Sequence, residues 1–403
     1  METSVGARAG PPQSQSLRFL ALYALAAAGG SSSYAPFLTL ILPLKMNVIA
    51  GPNAIEVLSY SAFLGAIAAS LSNVLFGWAS DRTRNRTVWI LAGVLSSCTL
   101  LVSMRFVDTV ADLLIMICAW QISLNMMLGP LAAWAGDCIP DHQKGLLGGL
   151  LSLAPGVGAL TGALVTIPGL ANGDERLVLI ALVVSTLILP VLVVGRPRPM
   201  PHLMHENAPG ASGPDFASPG RVAVWRMWLA RLLMQIAEAA LFAFLLLWLR
   251  DLDGQTTDNK VATIFSLVLL ASVPAAIFAG RWSDRAGRPI FPLIVAGAGG
   301  ALGLLIMAGS DTVWSGIAGY CIFGIAAAVF LALHSSQTLR VLPKPRYRGR
   351  DLGLFNLTNT VPSMFMPGLT LALVPHFGFG ALFLVLALLV ATSAMLLATR
   401  GLR

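Results

Sequence analysis

Three polar residues on one predicted helix could bind and release a proton inside an apolar segment. Arg231, Gln235 and Glu238 are spaced four and then three residues apart, so they share one face of a helix. Glu238 lies near the midpoint of its apolar run, where burial of a charge costs about 3 kcal/mol or more. A carboxylate that alternates between a dry environment and one beside Arg231 is suited to carrying a proton. A permanent structural ion pair between Arg231 and Glu238 is the alternative that the spacing leaves open.

Neutral hydrogen-bonding side chains occur at similar depth in other apolar runs. Residues 29–36 (GGSSSYAP) combine glycines, hydroxyls and a proline near the middle of the first run, a composition that weakens a regular helix. Such groups, with few charges, suit a neutral polyhydroxylated solute, on which Tyr34 could stack. Small-residue packing is the alternative for the first run, and an interhelical contact is the alternative for His334. The candidate solute-binding residues are Ser32, Tyr34, Gln121, Asn125, Gln235, His334 and Asn359.

The elements that must hold these residues are helices that cross a membrane. Hydrophobic residues make up 56% of the 403 residues and charged residues only 11%, whereas a soluble domain carries about 25% charged residues. About twelve apolar runs have the length of roughly 20 residues that a transmembrane helix needs. The predicted spans are 18–44, 56–78, 88–106, 112–136, 146–168, 177–195, 222–249, 259–283, 289–309, 312–339, 350–374 and 378–399.

The distribution of lysine and arginine predicts how these helices are oriented. Twenty of the 26 basic residues fall in the N-terminal tail, in the loops after even-numbered spans or in the C-terminal segment. Because basic loops stay in the cytoplasm, we expect a multi-pass protein of the bacterial inner (plasma) membrane with both termini cytoplasmic. The Pro/Gly/Ser-rich stretch 196–221 is predicted to be a cytoplasmic linker between two six-helix halves, 18–195 and 222–403, and residues 1–17 a cytoplasmic tail.

Several functional classes are not favoured by this composition. The net charge of +8 follows loop topology and not a basic surface with interleaved aromatic residues, so nucleic-acid binding is not predicted. The four cysteines lack metal-site or redox spacing and are interpreted as small buried residues. The sequence has no nucleotide-binding glycine-rich loop and no metal-ligand cluster, so we expect neither an enzyme nor a cofactor or metal. Residues 1–16 do not have the shape of a signal peptide.

Two charged loops nearly repeat each other about half the chain apart. Residues 77–86 (GWASDRTRNR) and 280–289 (GRWSDRAGRP) are offset by 203 residues, and both follow an apolar run of helix length. A second landmark, GLLGG at 145–149, corresponds to GRDLG at 349–353 with an offset of 204 residues. Two independent landmarks with nearly the same offset predict that the chain consists of two duplicated halves. The halves are expected to be related by an axis along the membrane normal.

The duplicated loops could control the conformation of the protein. Their glycines would let two helices approach closely, and their aspartates could accept hydrogen bonds from the N–H groups at a neighbouring helix N-terminus. Their arginines could pair across the cytoplasmic face, and contacts that exist in only one state would bias which side is open. Simple retention of the loops in the cytoplasm is the alternative. The predicted switch residues are Gly77, Asp81, Arg82, Arg86, Gly280, Asp284, Arg285 and Arg288.

Both loops resemble the signature loop of the major facilitator superfamily, which lies between helices two and three and again between helices eight and nine. The resemblance covers essentially the whole chain and implies transport by alternating access. The first copy places Arg84 where a glycine is common, and the second copy keeps Gly287.

Two narrower resemblances suggest different cargo. The loops after the fourth and tenth spans are similar to those of the glycoside–pentoside–hexuronide and sucrose-type symporters. Sodium-dependent members of that group place acidic residues within helix two, where this chain has only Glu56, so proton coupling is favoured over sodium coupling. Residues 154–162 (APGVGALTG) partly resemble the Gly/Pro-rich motif of drug–proton antiporters.

Together these patterns predict an all-α membrane protein with twelve transmembrane helices in two pseudo-symmetric six-helix bundles. We expect a secondary transporter that moves a small neutral sugar-like solute by alternating access, with a proton as co-substrate coupled through Glu238 and Arg231. A proton-driven drug or metabolite efflux antiporter is the alternative, and a lipid carrier or a non-transporting membrane receptor is the second. The expected partners are the solute, the proton and the lipid bilayer, and the protein is expected to be a monomer.

Overall fold

The computed structural model describes residues 14–167, 169–203, 221–256, 258–341 and 348–399. Within these ranges every regular element is a helix, and no residue is in a β-strand. The prediction of an all-α fold is therefore confirmed. Most of the predicted N-terminal tail, the linker between 204 and 220 and the loop 342–347 lie outside the described residues.

The described part of the first half contains eight α-helices that follow the predicted spans. Their ranges are α1 Leu17–Pro36, α2 Leu42–Ala50, α3 Ala54–Thr83, α4 Arg86–Ser103, α5 Val110–Cys138, α6 Lys144–Leu151, α7 Leu153–Val165 and α8 Glu175–Val194. A π-helical turn at Phe37–Ile41 joins α1 to α2, and the single residue Ser152 separates α6 from α7. The first and fifth predicted spans therefore each consist of two helical pieces.

The glycine- and serine-rich stretch of the first span is helical, although its composition predicts a weakened helix. α1 stays regular up to Pro36, and the irregularity is the π-helical turn at Phe37–Ile41 directly after it. The glycines and serines themselves therefore lie in regular helix, and the departure from α-helical geometry comes only after Pro36.

The described part of the second half contains five helices. Their ranges are α9 Arg221–Leu252, α10 Asp258–Ala286, α11 Phe291–Ala308, α12 Val313–Val341 and α13 Arg348–Ala398. α13 covers the predicted eleventh and twelfth spans and is interrupted at Gly378, whose φ of 74° and ψ of 176° are not helical. A positive φ of this kind favours glycine, so Gly378 marks the boundary between the two spans close to its predicted place.

Ten helical segments among the described residues are long and apolar enough to cross a membrane. They include a continuous first segment, Leu17–Asn53, and the segment Ala372–Ala398 at the end of α13. α9 and the first part of α13, which correspond to the predicted seventh and eleventh spans, are helical but are not among the ten. The multi-pass architecture is supported by these segments, and the count of twelve stays a prediction.

The helices pack in the same order in the two halves, as expected for a duplication. In the first half α3 and α4 pack on α5, and α1 packs on α7 and α8. In the second half α10 and α11 pack on α12, and α9 packs on α13. Between the halves, α3 packs against α13 and α10 packs against α6, which is the same contact made twice.

The polar contacts between the two halves lie toward one end of the molecule, which we call the loop end because it carries loops 77–86 and 280–289. Among the described residues, these contacts begin with a hydrogen bond between the hydroxyls of Ser70 and Thr360 (2.8 Å). They continue to the charged groups at the loops themselves. The fold therefore presses the two halves together at the loop end.

Candidate functional site

The first charged loop binds the start of a helix in the other half. Asp81, in the last turn of α3, accepts hydrogen bonds from the N–H groups of Gly349 (3.0 Å) and Arg350 (3.0 Å) at the beginning of α13. The first N–H groups of a helix have no partner within the helix and carry partial positive charge, so a carboxylate is a favourable partner. This is the helix-terminus contact that the sequence predicts for Asp81.

Three further charged side chains join Asp81 in a buried network. The Arg86 guanidinium contacts Asp81 Oδ1 (2.6 Å) and Asp137 Oδ2 (2.9 Å), and Arg348 from the other half contacts Asp137 Oδ1 (2.8 Å). The four side chains are no more than 10% exposed, so two positive and two negative charges balance where there is little water. We call Asp81, Arg86, Asp137 and Arg348, with the N-terminus of α13, the first latch.

The second charged loop makes the same backbone contact with the halves exchanged. Asp284, in the last turn of α10, accepts hydrogen bonds from the N–H groups of Gly145 (3.0 Å) and Leu146 (2.9 Å) at the beginning of α6. We call Asp284 and the N-terminus of α6 the second latch. The two latches are related by the duplication that the sequence predicts.

The side chains around the second latch differ from those around the first. At the repeat offsets of 203 and 204 residues, Pro289 stands in the place of Arg86, and Val341 stands in the place of Asp137. A buried lysine, Lys144, begins α6 where an arginine begins α13. The backbone contact is therefore duplicated, whereas two of the charges are not.

Glycines allow the helices of each latch to touch at the backbone. A Cβ on Gly77 would meet the carbonyl of Gly349, and a Cβ on Gly280 would meet the carbonyl of Gly145. The reverse is also true, since a Cβ on Gly349 or Gly145 would meet its partner's carbonyl. A side chain at any of these four positions would separate the halves at the loop end.

The other predicted switch arginines are exposed. The side chains of Arg82, Arg285 and Arg288 make no hydrogen bond or ion pair with another residue in the described part of the chain. The expected pairing of arginines across this face is seen for Arg86, which reaches Arg348 through Asp137.

The ends of α3 and α10 have the same backbone conformation. Arg84 has a φ of 54°, and Gly287 has a φ of 61°. A left-handed residue commonly ends a helix and is normally glycine, because an L-residue there costs roughly 1–2 kcal/mol. The departure from the signature loop at Arg84 therefore changes the residue without changing the backbone.

A cavity of about 540 Å³ is bordered by α1 of the first half and by α9, α10, α12 and α13 of the second. Its polar side chains come from both halves and from four helices. They are Tyr34, Gln235, Glu238, Tyr320 and Asn359. The rest of the lining is apolar and rich in aromatic rings, with Phe244, Phe265, Val268, Phe323 and Met366.

Glu238 is the charged group of this cavity. Its carboxylate accepts no hydrogen bond from any residue in the described ranges. Glu238 shares its helix face with Gln235 and Leu241, which also line the cavity, so the predicted periodicity of α9 is what brings these side chains to one wall. The site therefore combines an unpaired acid with an apolar surround.

Arg231 lies beside the cavity and is held by neutral partners. Its guanidinium donates to Ser335 Oγ (2.8 Å) and to Asn359 Oδ1 (3.2 Å), and Asn359 Oδ1 also accepts from Gln235 Nε2 (2.6 Å). Seven residues along a helix correspond to about 10 Å, and no ion pair between Arg231 and Glu238 is found among the described contacts. The structural ion pair that the sequence left open is absent from this conformation.

Three of the predicted solute-binding residues, Ser32, Gln121 and Asn125, are not part of the cavity lining. Ser32 is buried and accepts a hydrogen bond from Thr161 (2.9 Å). Asn125 is buried, accepts from Asn73 (2.9 Å) and donates to the carbonyl of Gln121 (2.9 Å). Tyr34, Gln235 and Asn359 are the predicted ligands that the structure brings together.

His334 is completely buried beside α9. One ring nitrogen is 3.0 Å from the carbonyl of Met227, and the other is 3.1 Å from the Thr338 hydroxyl. This geometry corresponds to the interhelical alternative, and a role in solute binding stays a prediction. The side chain of Glu56, considered for sodium coupling, lies outside the described residues.

Sequence reasoning missed the aromatic part of the lining. Tyr320 on α12, Phe265 on α10 and Phe244 on α9 line the cavity, yet in the sequence they are ordinary members of apolar runs. Phe244 is six residues from Glu238 on the same helix, which places it about 120° away around the helix axis, so its spacing does not mark it. No local signal marks Phe265 or Tyr320 either, because they belong to other helices.

Comparison with known proteins finds similarity to one family of transporters. Residues 227–401 match the family model described as Major Facilitator Superfamily. An uncharacterized MFS-type transporter of Mycobacterium tuberculosis, strain H37Rv, is 28% identical over 265 residues, which are 62% of this chain and 57% of that relative. The chain therefore matches little more than half the length of that relative.

Solved structures of low sequence identity share the fold. The human organic anion transporter MFSD10 is 16% identical with a TM-score of 0.73, and the match covers 96% of this chain and 100% of the MFSD10 chain. A bacterial homologue of the iron transporter ferroportin, in an outward-facing state, is 16% identical with a TM-score of 0.70 and coverages of 94% and 97%. The E. coli fucose:proton symporter FucP is 13% identical with a TM-score of 0.71 and coverages of 94% and 97%. The chain therefore shares the fold of these transporters, and its second half, residues 227–401, is similar to the major facilitator superfamily.

Proposed function

We propose that the protein is a proton-coupled secondary transporter of a small organic solute. The observation that carries the proposal is the Glu238 carboxylate, which lines a cavity of about 540 Å³ inside a membrane-embedded bundle. Cavities of this volume accommodate drug-sized molecules. An ionisable group at membrane depth is costly, and such groups mark substrate and proton pathways.

Alternating access would supply the route to this cavity. Both latches hold the halves together at the loop end, and breaking them would open that end. With the loop end in the cytoplasm, as the basic residues predict, the described conformation corresponds to an outward-facing state. This proposal is supported by similarity to the ferroportin homologue and to FucP, which were determined in outward states.

Glu238 is assigned the coupling proton. The groups that face it are Arg231 on its own helix, Tyr34 from α1 and Tyr320 from α12. A dry cavity favours the neutral acid, and access of water favours the carboxylate, so a change of state could take up and release the proton.

The test begins with a thermal-shift screen of the purified protein against organic cations, organic anions and neutral sugars. Stabilising solutes then enter proteoliposomes with and without a pH gradient. We expect the gradient to change the transport rate in the native protein and in Asp108→Asn, which removes an exposed carboxylate away from the cavity. Glu238→Gln is expected to lose the response to the gradient. A Glu238→Gln protein that is still driven by the gradient would overturn the assignment.

Uptake of a neutral sugar-like solute is a second candidate. It is supported by Tyr34, Gln235 and Asn359, which bring hydroxyl and amide groups to the cavity. The fold similarity to the fucose:proton symporter also supports sugar uptake. The same vesicles test this candidate, because a sugar symporter would accumulate labelled sugar when the proton gradient is directed inward.

A further inference from the structure

The cavity has one negative group in an aromatic surround. Among the lining residues that the structure describes, Glu238 carries the only full charge. The rings of Phe244, Phe265, Tyr320 and Phe323 make up much of the remaining wall. The faces of aromatic rings attract cations, and a carboxylate does so more strongly where water is scarce.

The nearest cationic side chain is engaged elsewhere. Arg231 is held by Ser335 and Asn359 and is not part of the lining. The carboxylate of Glu238, about two helical turns away, therefore faces the cavity without a bound counter-charge. An anionic solute would meet this carboxylate first, whereas a cationic solute would neutralise it.

The side-chain amides of the cavity are partly occupied by hydrogen bonds to other residues of the protein, so fewer of them can bind a solute. Asn359 Oδ1 accepts from both Arg231 and Gln235, and Asn359 Nδ2 donates to Asn356 Oδ1 (2.6 Å). A polyhydroxylated solute needs several free partners, because each buried hydroxyl without a hydrogen bond costs about 1–3 kcal/mol. A solute with an apolar body and one charge makes no such demand on the aromatic wall.

We propose that this cavity binds a monovalent organic cation with an apolar body, such as an aryl or alkyl ammonium ion, and that the cation and the coupling proton bind to Glu238 in turn. The inference rests on the proposed function, since it uses the same cavity and the same proton. The carboxylate must be ionised to hold the cation, so cation binding releases a proton. The groups that face Glu238 during this exchange are Arg231, Tyr34 and Tyr320.

The exchange fixes the direction in which the ions move relative to each other. Because one carboxylate cannot hold both ions, the protein would carry a proton one way and a cation the other. An inward proton gradient would then drive the cation out. This is proton-driven efflux, and it is distinct from sugar uptake.

The test compares two ions of the same size and shape but opposite charge, tetraphenylphosphonium and tetraphenylborate. Their affinities for the purified protein are measured by titration calorimetry in two buffers of different ionisation enthalpy, which also counts released protons. We expect tetraphenylphosphonium to bind at least about tenfold more tightly than tetraphenylborate, with a proton released on binding. Glu238→Gln is expected to reduce the affinity for the cation about tenfold or more and to abolish proton release, while Asp108→Asn changes neither.

Phe265→Leu provides a second variant that keeps an apolar side chain but removes one ring. It is expected to weaken binding of the cation more than binding of the borate. The comparison of the two ions on the native protein needs no variant, so the inference stays testable if Glu238→Gln does not fold. Equal binding of both ions, or cation binding unchanged by Glu238→Gln, would overturn it.

The transport measurements separate failure of this inference from failure of the proposed function. A neutral or anionic solute that responds to the pH gradient, with no binding of tetraphenylphosphonium, removes the cation inference and leaves the proposed function standing. A protein that moves no solute in response to the gradient removes both. Counter-movement of tetraphenylphosphonium and protons in native vesicles, lost in Glu238→Gln, supports both.

Discussion

In both latches an aspartate at the end of one helix binds the first N–H groups of a helix in the other half, but the surroundings of the two aspartates differ. Asp81 and Asp284 accept two backbone hydrogen bonds each, at 2.9–3.0 Å. Asp81 also contacts Arg86, which is part of a buried network across the halves. Pro289 stands at the corresponding place beside Asp284.

This difference shows that the two halves share the backbone contacts of the latch but not all of the charged side chains around it. The helix ends, the glycine contacts and the aspartates recur, because they depend on backbone geometry that both halves share. The charges of Arg86 and Asp137 do not recur, because Pro289 and Val341 stand at the corresponding positions. Removing one partner from a buried network leaves an uncompensated charge, so we expect the first latch to be the more sensitive of the two.

The largest expected effect comes from neutralising the two aspartates separately. Asp81→Asn leaves Arg86 without one of its two carboxylates, and we expect it to destabilise the described conformation by about 3–5 kcal/mol. Asp284→Asn leaves no uncompensated charge at the position equivalent to Arg86, which is Pro289, and is expected to cost less, about 1–2 kcal/mol. Thermal unfolding of the purified variants measures the difference. Equal losses of stability would mean that the buried network adds nothing to the first latch.

An intermediate effect is expected from the glycines, and here the two latches should agree. Gly77→Ala and Gly280→Ala each place a Cβ against a carbonyl of the other half, so each is expected to cost about 1–3 kcal/mol. Gly156→Ala is the control, because a Cβ there meets no atom within 4 Å. The separation of the halves is measured by the rate at which cysteines introduced on the two sides of the loop end form a cross-link. A large difference between the two alanine variants would show that the backbone contacts are not equivalent.

The smallest effect is expected at the ends of α3 and α10. Arg84→Gly removes a side chain from a left-handed residue and is expected to change stability by less than about 1 kcal/mol, in the stabilising direction. Gly287→Ala introduces the same strain in the second copy and is expected to destabilise by about 1 kcal/mol. The melting temperature is expected to rise in Arg84→Gly and to fall in Gly287→Ala. A change in the same direction in both variants would contradict the shared backbone conformation.

Local sequence signals predicted the duplicated part of the molecule well. The repeat of 77–86 at 280–289 placed Asp81 and Asp284 at helix N-termini, where the structure has them. Hydropathy gave the helix boundaries, and the Gly378 interruption lies close to the predicted boundary of the last span. These features depend on residues that are near in sequence or that recur at one offset.

The rest could not be predicted because it depends on contacts between distant residues. Asp137 and Arg348 are 211 residues apart and meet only when α5 and α13 pack. The aromatic wall of the cavity combines α9, α10 and α12, and none of its residues has a polar signal in its own span. Conversely, Ser32 and Asn125 have the polarity expected of ligands but are used for contacts between helices.

The most direct test of the account measures the distance between the halves at the loop end. Spin labels are attached at Thr87 and Arg285, which are both exposed, in a protein whose native cysteines have been replaced. Double electron–electron resonance then gives the distribution of distances between the two labels. We predict one short distance in the native protein, a dominant longer distance in Asp81→Asn and a minor longer population in Asp284→Asn. A distribution that is identical in all three proteins, or a larger opening in Asp284→Asn than in Asp81→Asn, would contradict the account.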